Sequence, residues 1–207
     1  MKNFSSLSED VSVILNLVIS VGCISKTQAL EILAHGDNRN NPRLVPEKVL
    51  AFLINNRYLK YVDEEHLTVL RNPRLSSEAV DCLWVMLDQI KQEDEDGGYY
   101  YRYSDIAQTI MGDMYMEFSY IQDESVTINM LELNSENASK MMAIQQRFYA
   151  HTKSKLGKEK TYRINHVVVT RDKKTAKVLE KYNLNIPYNV ALVEYKDGEA
   201  IPKISYK

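Results

Sequence analysis

The chain has 207 residues, 44% of them hydrophobic and 26% charged, with a formal net charge of −2. That length suits one large domain or two small ones, and that composition excludes wholesale disorder. Ser12, Asn16 and Ser20 interrupt the longest apolar run, Val11 to Val21. It therefore falls short of the roughly 18 residues that a membrane span needs. With no secretory pattern at the N-terminus, a cytoplasmic protein is expected.

Ser6-Leu7-Ser8-Glu9 is a capping box, and Val11, Ile14, Leu15 and Val18 follow at helical spacing until Gly22. Ser25-Lys26-Thr27-Gln28 is a second box, opening a short helix to Ala34 with Ala29, Leu30 and Leu33 inward. The polar stretch from His35 to Pro46 contains a loop. Pro46 suits the first turn of a third helix, because the N–H it lacks would have no partner there. Val49, Leu50, Phe52 and Leu53 predict that helix's buried face. Tyr58–Val62 and His66–Leu70 are β-prone runs about the acidic turn Asp63-Glu64-Glu65, and predict a hairpin. Three short helices and a hairpin over residues 7–75 resemble a winged helix.

A fourth helix begins after Ser76 or Ser77, with Val80, Leu83, Trp84, Leu87 and Ile90 in one stripe. That stripe serves either the core or a homodimer seam around Trp84. Gln92 to Gly98 holds four consecutive acids and then two glycines come into view, Gly97 and Gly98, which predicts an exposed linker. The expected division is 1–75 for the winged helix, 76–98 for the connecting helix and acidic linker, and 99–207 for an α/β domain. The fold class is α+β.

In the second half, Tyr99–Tyr103 reads as a strand and Ser104–Met111 as a short helix. Met114–Ile121 and Val126–Leu133 read as strands paired across Gln122-Asp123-Glu124-Ser125. Asn134 caps a long helix to about Leu156, with His151 facing inward. Val167-Val168-Val169 marks a strand buried on both faces. A helix from Asp172 to Tyr182 and a hairpin, Val190–Tyr195 with Ala200–Tyr206, complete the chain.

This order resembles the core of the restriction-endonuclease-like fold. A winged helix joined to such a degenerate domain resembles an uncharacterised family of mobile-element proteins from Gram-positive bacteria. Active nucleases of that fold place an acid on the first paired strand and E-x-K at the end of the second, to hold a divalent cation and activate water. Here the second strand ends Glu132-Leu133-Asn134, so the lysine is missing. Asp113 or Glu117 matches the first acid, and Lys140 is the nearest later amine. Asn134 is explained as a helix cap.

No glycine-rich phosphate loop or G-x-S-x-G elbow occurs, and neither Cys23 nor Cys82 has a ligand-spaced partner. No metal, cofactor or catalytic residue is expected. The charge pattern instead points to binding. Residues 76–98 carry a net charge of −6, and residues 140–181 carry +9. In a winged helix the third helix enters the major groove. The resemblance thus assigns DNA contact to Lys48 and Asn55, flanked by Arg39, Arg43 and Arg57. Lys153, Lys155, Arg171, Lys173, Lys174 and Lys177 form an auxiliary nucleic-acid surface. The acidic turn opposes phosphate, which keeps a protein-binding winged helix in view.

The leading expectation is a non-enzymatic DNA-binding regulator or accessory protein of a mobile element. The alternatives are an anti-CRISPR-type protein that binds an effector ribonucleoprotein, with Glu93–Asp96 mimicking phosphates, and a metal-dependent nuclease. Incubation with DNA or RNA in magnesium or manganese is expected to give no cleavage, and Glu132→Gln no loss of function. Metal-dependent cleavage abolished by that substitution would make the protein an enzyme.

Overall fold

The computed structural model describes residues 9–35, 45–71, 73, 76–97, 107–111, 114–122, 125–133, 162–181 and 187–207. They form an α+β protein of five helices and two sheets. The chain divides into two compact units, Met1–Ile106 and Ala107–Lys207. None of the described helices is long and apolar enough to cross a membrane.

In the first unit α1 spans Glu9–Val21 and buries Val11, Ile14, Leu15, Leu17 and Val18. It ends at Gly22, whose φ of 92° is a conformation that glycine adopts without a Cβ clash, and whose N–H donates to the Val18 carbonyl at 2.8 Å. β1 is Ile24–Ser25 and α2 is Lys26–His35. The second capping box forms as expected. The Gln28 N–H donates to Ser25 Oγ, and the Ser25 N–H donates to Gln28 Oε1, both at 3.0 Å.

α3 spans Pro46–Asn55, with Pro46 in its first turn. β2 is Lys60–Tyr61 and β3 is His66–Thr68. The three strands lie in the order β1-β3-β2, all antiparallel, with Ile24 opposite Leu67 and Tyr61 opposite Leu67 on the other side. The expected first strand of the hairpin is shortened, because Tyr58 and Leu59 are held by the end of α3. Both of their N–H groups donate to the Leu53 carbonyl, at 2.9 and 3.1 Å.

α4 spans Ser77–Gly97, and Ser76 Oγ accepts the Ala79 N–H at 3.2 Å. Every residue from Ala79 to Leu87 is buried, and Trp84 is only 5% exposed. Asp81 is buried among them at 2%, and the Trp84 stripe packs in the core of one chain. The linker expected over Gln92–Gly98 is corrected, since the backbone stays helical to Gly97. Once a helix is nucleated, each added residue extends it at little cost, and Gln92 Nε2 donates to Asp88 Oδ2 one turn back at 2.8 Å.

The second unit is a six-stranded sheet in chain order: β4 (Ala107–Met111), β5 (Met114–Gln122), β6 (Ser125–Leu133), β7 (Tyr162–Thr170), β8 (Asn189–Glu194) and β9 (Lys203–Tyr206). β6, β7 and β8 run parallel, and the remaining pairs are antiparallel. The paired strands expected across Gln122–Ser125 are β5 and β6, with Gln122 opposite Ser125. The short helix expected at Ser104–Met111 is a strand over Ala107–Met111, because pairing with β5 satisfies its backbone along one edge. Val167, Val168 and Val169 are fully buried, as a strand covered on both faces requires. α5, Lys173–Lys181, packs Thr175, Ala176 and Leu179 inward. The strand expected at Tyr99–Tyr103 and the helix from Asn134 to Leu156, with His151, lie outside the described residues.

Gln28 is completely buried, and its Nε2 donates to the Val80 carbonyl in α4 at 2.7 Å. Gln28→Ala removes this bond together with the Ser25 acceptor and leaves buried polar groups unsatisfied. Its expected cost is about 2–4 kcal/mol. Urea unfolding of the full chain followed by the fluorescence of Trp84, the single tryptophan, measures it. A loss under about 0.5 kcal/mol would show that the bond is incidental.

Candidate nucleic-acid interface

α3 divides its residues cleanly. Leu50 and Leu53 are buried, while Glu47, Lys48, Ala51, Phe52 and Asn55 are exposed. Lys48, Ala51, Phe52 and Asn55 recur at i, i+3, i+4 and i+7, so they share one outward face. The prediction that Phe52 is core is therefore corrected: it is 48% exposed. A helical stripe admits more apolar residues than one core face can take, and Phe52 falls on its outer margin.

The end of α3 explains how Phe52 is held. The Arg57 N–H donates to the Ile54 carbonyl and the Tyr58 N–H to the Leu53 carbonyl, both at 2.9 Å. This is a Schellman motif, and it requires a left-handed residue after the cap. Arg57 takes that place with φ 58°, the one positive-φ residue other than glycine among the described residues. An L-residue there carries a steric cost of about 1–2 kcal/mol. The motif's customary apolar contact is present too, with the Phe52 and Tyr58 rings stacked at 6.2 Å between centroids and 27° between planes. The strained backbone thus presents an exposed arginine next to an exposed aromatic and Asn55.

The hairpin turn after α3 carries Asp63, Glu64 and Glu65, all exposed. Asp63 has a structural task. Its Oδ1 accepts the N–H of Glu65 at 2.8 Å and of His66 at 2.7 Å, and both its oxygens lie 2.9 Å from His66 Nδ1. The Glu65 N–H holds its carboxyl below the usual range; desolvation opposes this, and His66 adds to the lowering. The Glu65 carbonyl in turn accepts the Lys26 N–H at 2.7 Å, tying the turn to the start of α2. Part of the acidic tip is therefore an organiser of the hairpin, which sequence spacing alone did not reveal.

Of the other predicted contacts, Arg39, Arg43, Lys153 and Lys155 lie outside the described residues, as do the side chains of Glu93–Asp96. Arg171 and Lys173 are engaged within the second unit: the Arg171 guanidinium lies 4.9 Å from the centre of the Tyr195 ring, and Lys173 pairs with Glu194 at 2.5 Å. Lys174 and Lys177 are exposed on α5.

Among the described residues no three His, Cys, Asp or Glu residues converge as a metal site. Glu117 lies opposite Met130, and Glu132 follows Met130 by two positions, so the two glutamate positions share a sheet face. Glu132 is in register with Val168, which is fully buried. Asp113 lies outside the described residues. Burial pushes the Cys23 thiol up, with the Thr68 side chain opposing and Asp63 adding to the rise. No family model, curated protein or solved structure matches this chain.

The lowered Asp63 titration has a consequence for the hairpin. A carboxyl depressed by folding contributes stability above its unfolded value, near 3.9, and loses it as pH falls through the folded value. Below about pH 4 the Glu65 and His66 amides are expected to lose protection from hydrogen exchange, and Asp63→Ala to abolish that dependence. Equal protection at pH 3 and pH 6 would contradict the role given to Asp63.

Proposed function

We propose that the first unit is a winged helix that binds duplex DNA through the outer face of α3, and that the protein is a non-enzymatic DNA-binding factor. The observation that carries this reading is Arg57. A residue held in a sparsely populated conformation where glycine would be easier points to a use for its side chain. Around it the chemistry suits base edges. Asn55 can bond adenine bidentately, Arg57 can reach guanine or phosphate, and Ala51 and Phe52 offer apolar contact to a thymine methyl. The helix–strand–helix–helix–hairpin order, with β1 completing a three-stranded sheet, supports a winged helix, and the mixed sheet of the second unit is compatible with a degenerate restriction-endonuclease-like domain. A role as an accessory or regulatory factor of a mobile element fits this reading.

One observation favours a second reading. Phe52 and Tyr61 are exposed at 48% and 46%, and the exposed acids Asp63, Glu64 and Glu65 follow Tyr61 in the hairpin turn. Aromatics with a polar rim are also the make-up of a protein-binding surface. In that case the partner is a protein, or an effector ribonucleoprotein as in anti-CRISPR inhibition.

Arg57→Gly separates stability from function. It relieves the left-handed strain, so stability is expected to rise by about 1 kcal/mol. Affinity for a selected duplex is expected to fall about tenfold, and replacing thymine by uracil across the site to weaken binding further in the unaltered chain but not in Phe52→Ala. Unfolding curves and fluorescence anisotropy measure the two. A stabilised variant with unchanged DNA affinity would contradict the assignment of Arg57, and absence of salt-sensitive duplex binding would leave the protein-binding reading.

A further inference from the structure

α5 turns one face to the sheet through Thr175, Ala176 and Leu179 and leaves Lys174, Lys177, Val178 and Lys181 exposed. The three lysines recur at i, i+3 and i+7, so they form a ridge along one side of the helix, about 10.5 Å from first to last. The acids nearby are already engaged. Asp172 caps the helix, its Oδ2 accepting the Thr175 N–H at 2.8 Å and the Thr175 hydroxyl at 2.7 Å, and its Oδ1 accepting the Lys174 N–H at 3.2 Å. Glu180 pairs with Lys207 at 2.7 Å, and Glu194 pairs with Lys173 at 2.5 Å. Lys174, Lys177 and Lys181 form no ion pair among the described residues. The first of them stands near the positive end of the helix macrodipole, where the Asp172 carboxylate offsets part of the cost.

We propose that this lysine ridge is a second nucleic-acid contact, which grips the phosphates of a duplex without reading its bases. A duplex carries one negative charge per about 1.7 Å of axis, so a ridge of this length faces more phosphates than three lysines need. The ridge carries lysine alone, a point charge that lacks the planar fork of arginine and the paired donor and acceptor of asparagine or glutamine, so its grip falls on phosphate more than on base edges. A membrane-surface helix needs a broad apolar face turned outward. Here that face is packed on the sheet, and Val178 alone remains outside. The inference rests on nucleic acid being the ligand and does not depend on α3.

The test uses the full chain and a labelled random-sequence duplex, with anisotropy read across a salt series. In the triple variant Lys174→Ala, Lys177→Ala, Lys181→Ala, the slope of log K against log salt is expected to shrink by about 2–3, at about 0.9 per lost phosphate contact. Arginine at the same three positions is expected to keep it, and far-UV circular dichroism to show both variants folded. An unchanged slope in the alanine variant, or an equal loss in the arginine variant, would overturn the proposal. Vesicles rich in phosphatidylserine form a parallel arm; binding there that is lost in the alanine variant while the duplex slope persists would overturn it in favour of a lipid surface. Lys48→Ala with Asn55→Ala separates the two sites. If that pair leaves binding intact while the ridge still sets the slope, the ridge stands and the α3 reading fails. If the unaltered chain binds no duplex, both fail.

Discussion

The arrangement of the first unit depends on one buried carboxamide. Gln28 lies at the junction of β1, α2 and α4, with no exposed surface. Leaving an amide unpaired there would cost several kcal/mol. The cost is offset because both ends of the side chain are bonded: Oε1 accepts from the Ser25 N–H, and Nε2 donates to the Val80 carbonyl. The first bond fixes the start of α2 against β1, and the second fixes α2 against α4. β1 then pairs with β3, and the Lys26 N–H reaches the Glu65 carbonyl in the hairpin turn. Thr68 closes the same corner, its hydroxyl donating to the Gly22 carbonyl at 2.7 Å. A capping box, ordinarily a local device, here sets long-range register.

Backbone strain lies elsewhere in the first unit. α3 ends on a left-handed arginine whose conformation is maintained by two bonds to helix carbonyls and by the Phe52–Tyr58 stack. Such a conformation persists only where its surroundings over-determine it. The resulting surface joins a cation, an amide and an aromatic ring, which is the chemistry proposed to meet DNA. In the proposed interface, Asn55, Phe52 and Arg57 would act through short-range contacts. The lysine ridge on α5 supplies the opposite property, charge without base-reading groups.

Much of the architecture was legible from residue types with a local mechanism. The Ser25–Gln28 box, Pro46 and the Val167–Val169 run each dictate their own conformation through bonds or burial within a few residues. Features set by distant partners were hidden. Ala107–Met111 is a strand because β5 offers it a ladder, and no periodicity within five residues reveals that. The acids after Gln92 remain helical as an extension of a buried helix. Arg171 and Lys173 read as free cations in sequence, yet their partners are Tyr195, just after β8, and Glu194 at its end. At the candidate interface, Lys48, Asn55 and Arg57 were visible as polar residues around α3. Helical spacing alone puts Phe52 in the core, because it does not show where a buried stripe ends.

Whether α3 meets duplex DNA with its outer face, as proposed, can be read by titrating the isotopically labelled chain with a duplex and following backbone amide chemical shifts by NMR. The largest perturbations are expected on Lys48, Ala51, Phe52, Asn55 and Arg57, with Leu50 and Leu53 less affected. Saturable DNA binding that leaves those five amides unmoved would contradict it.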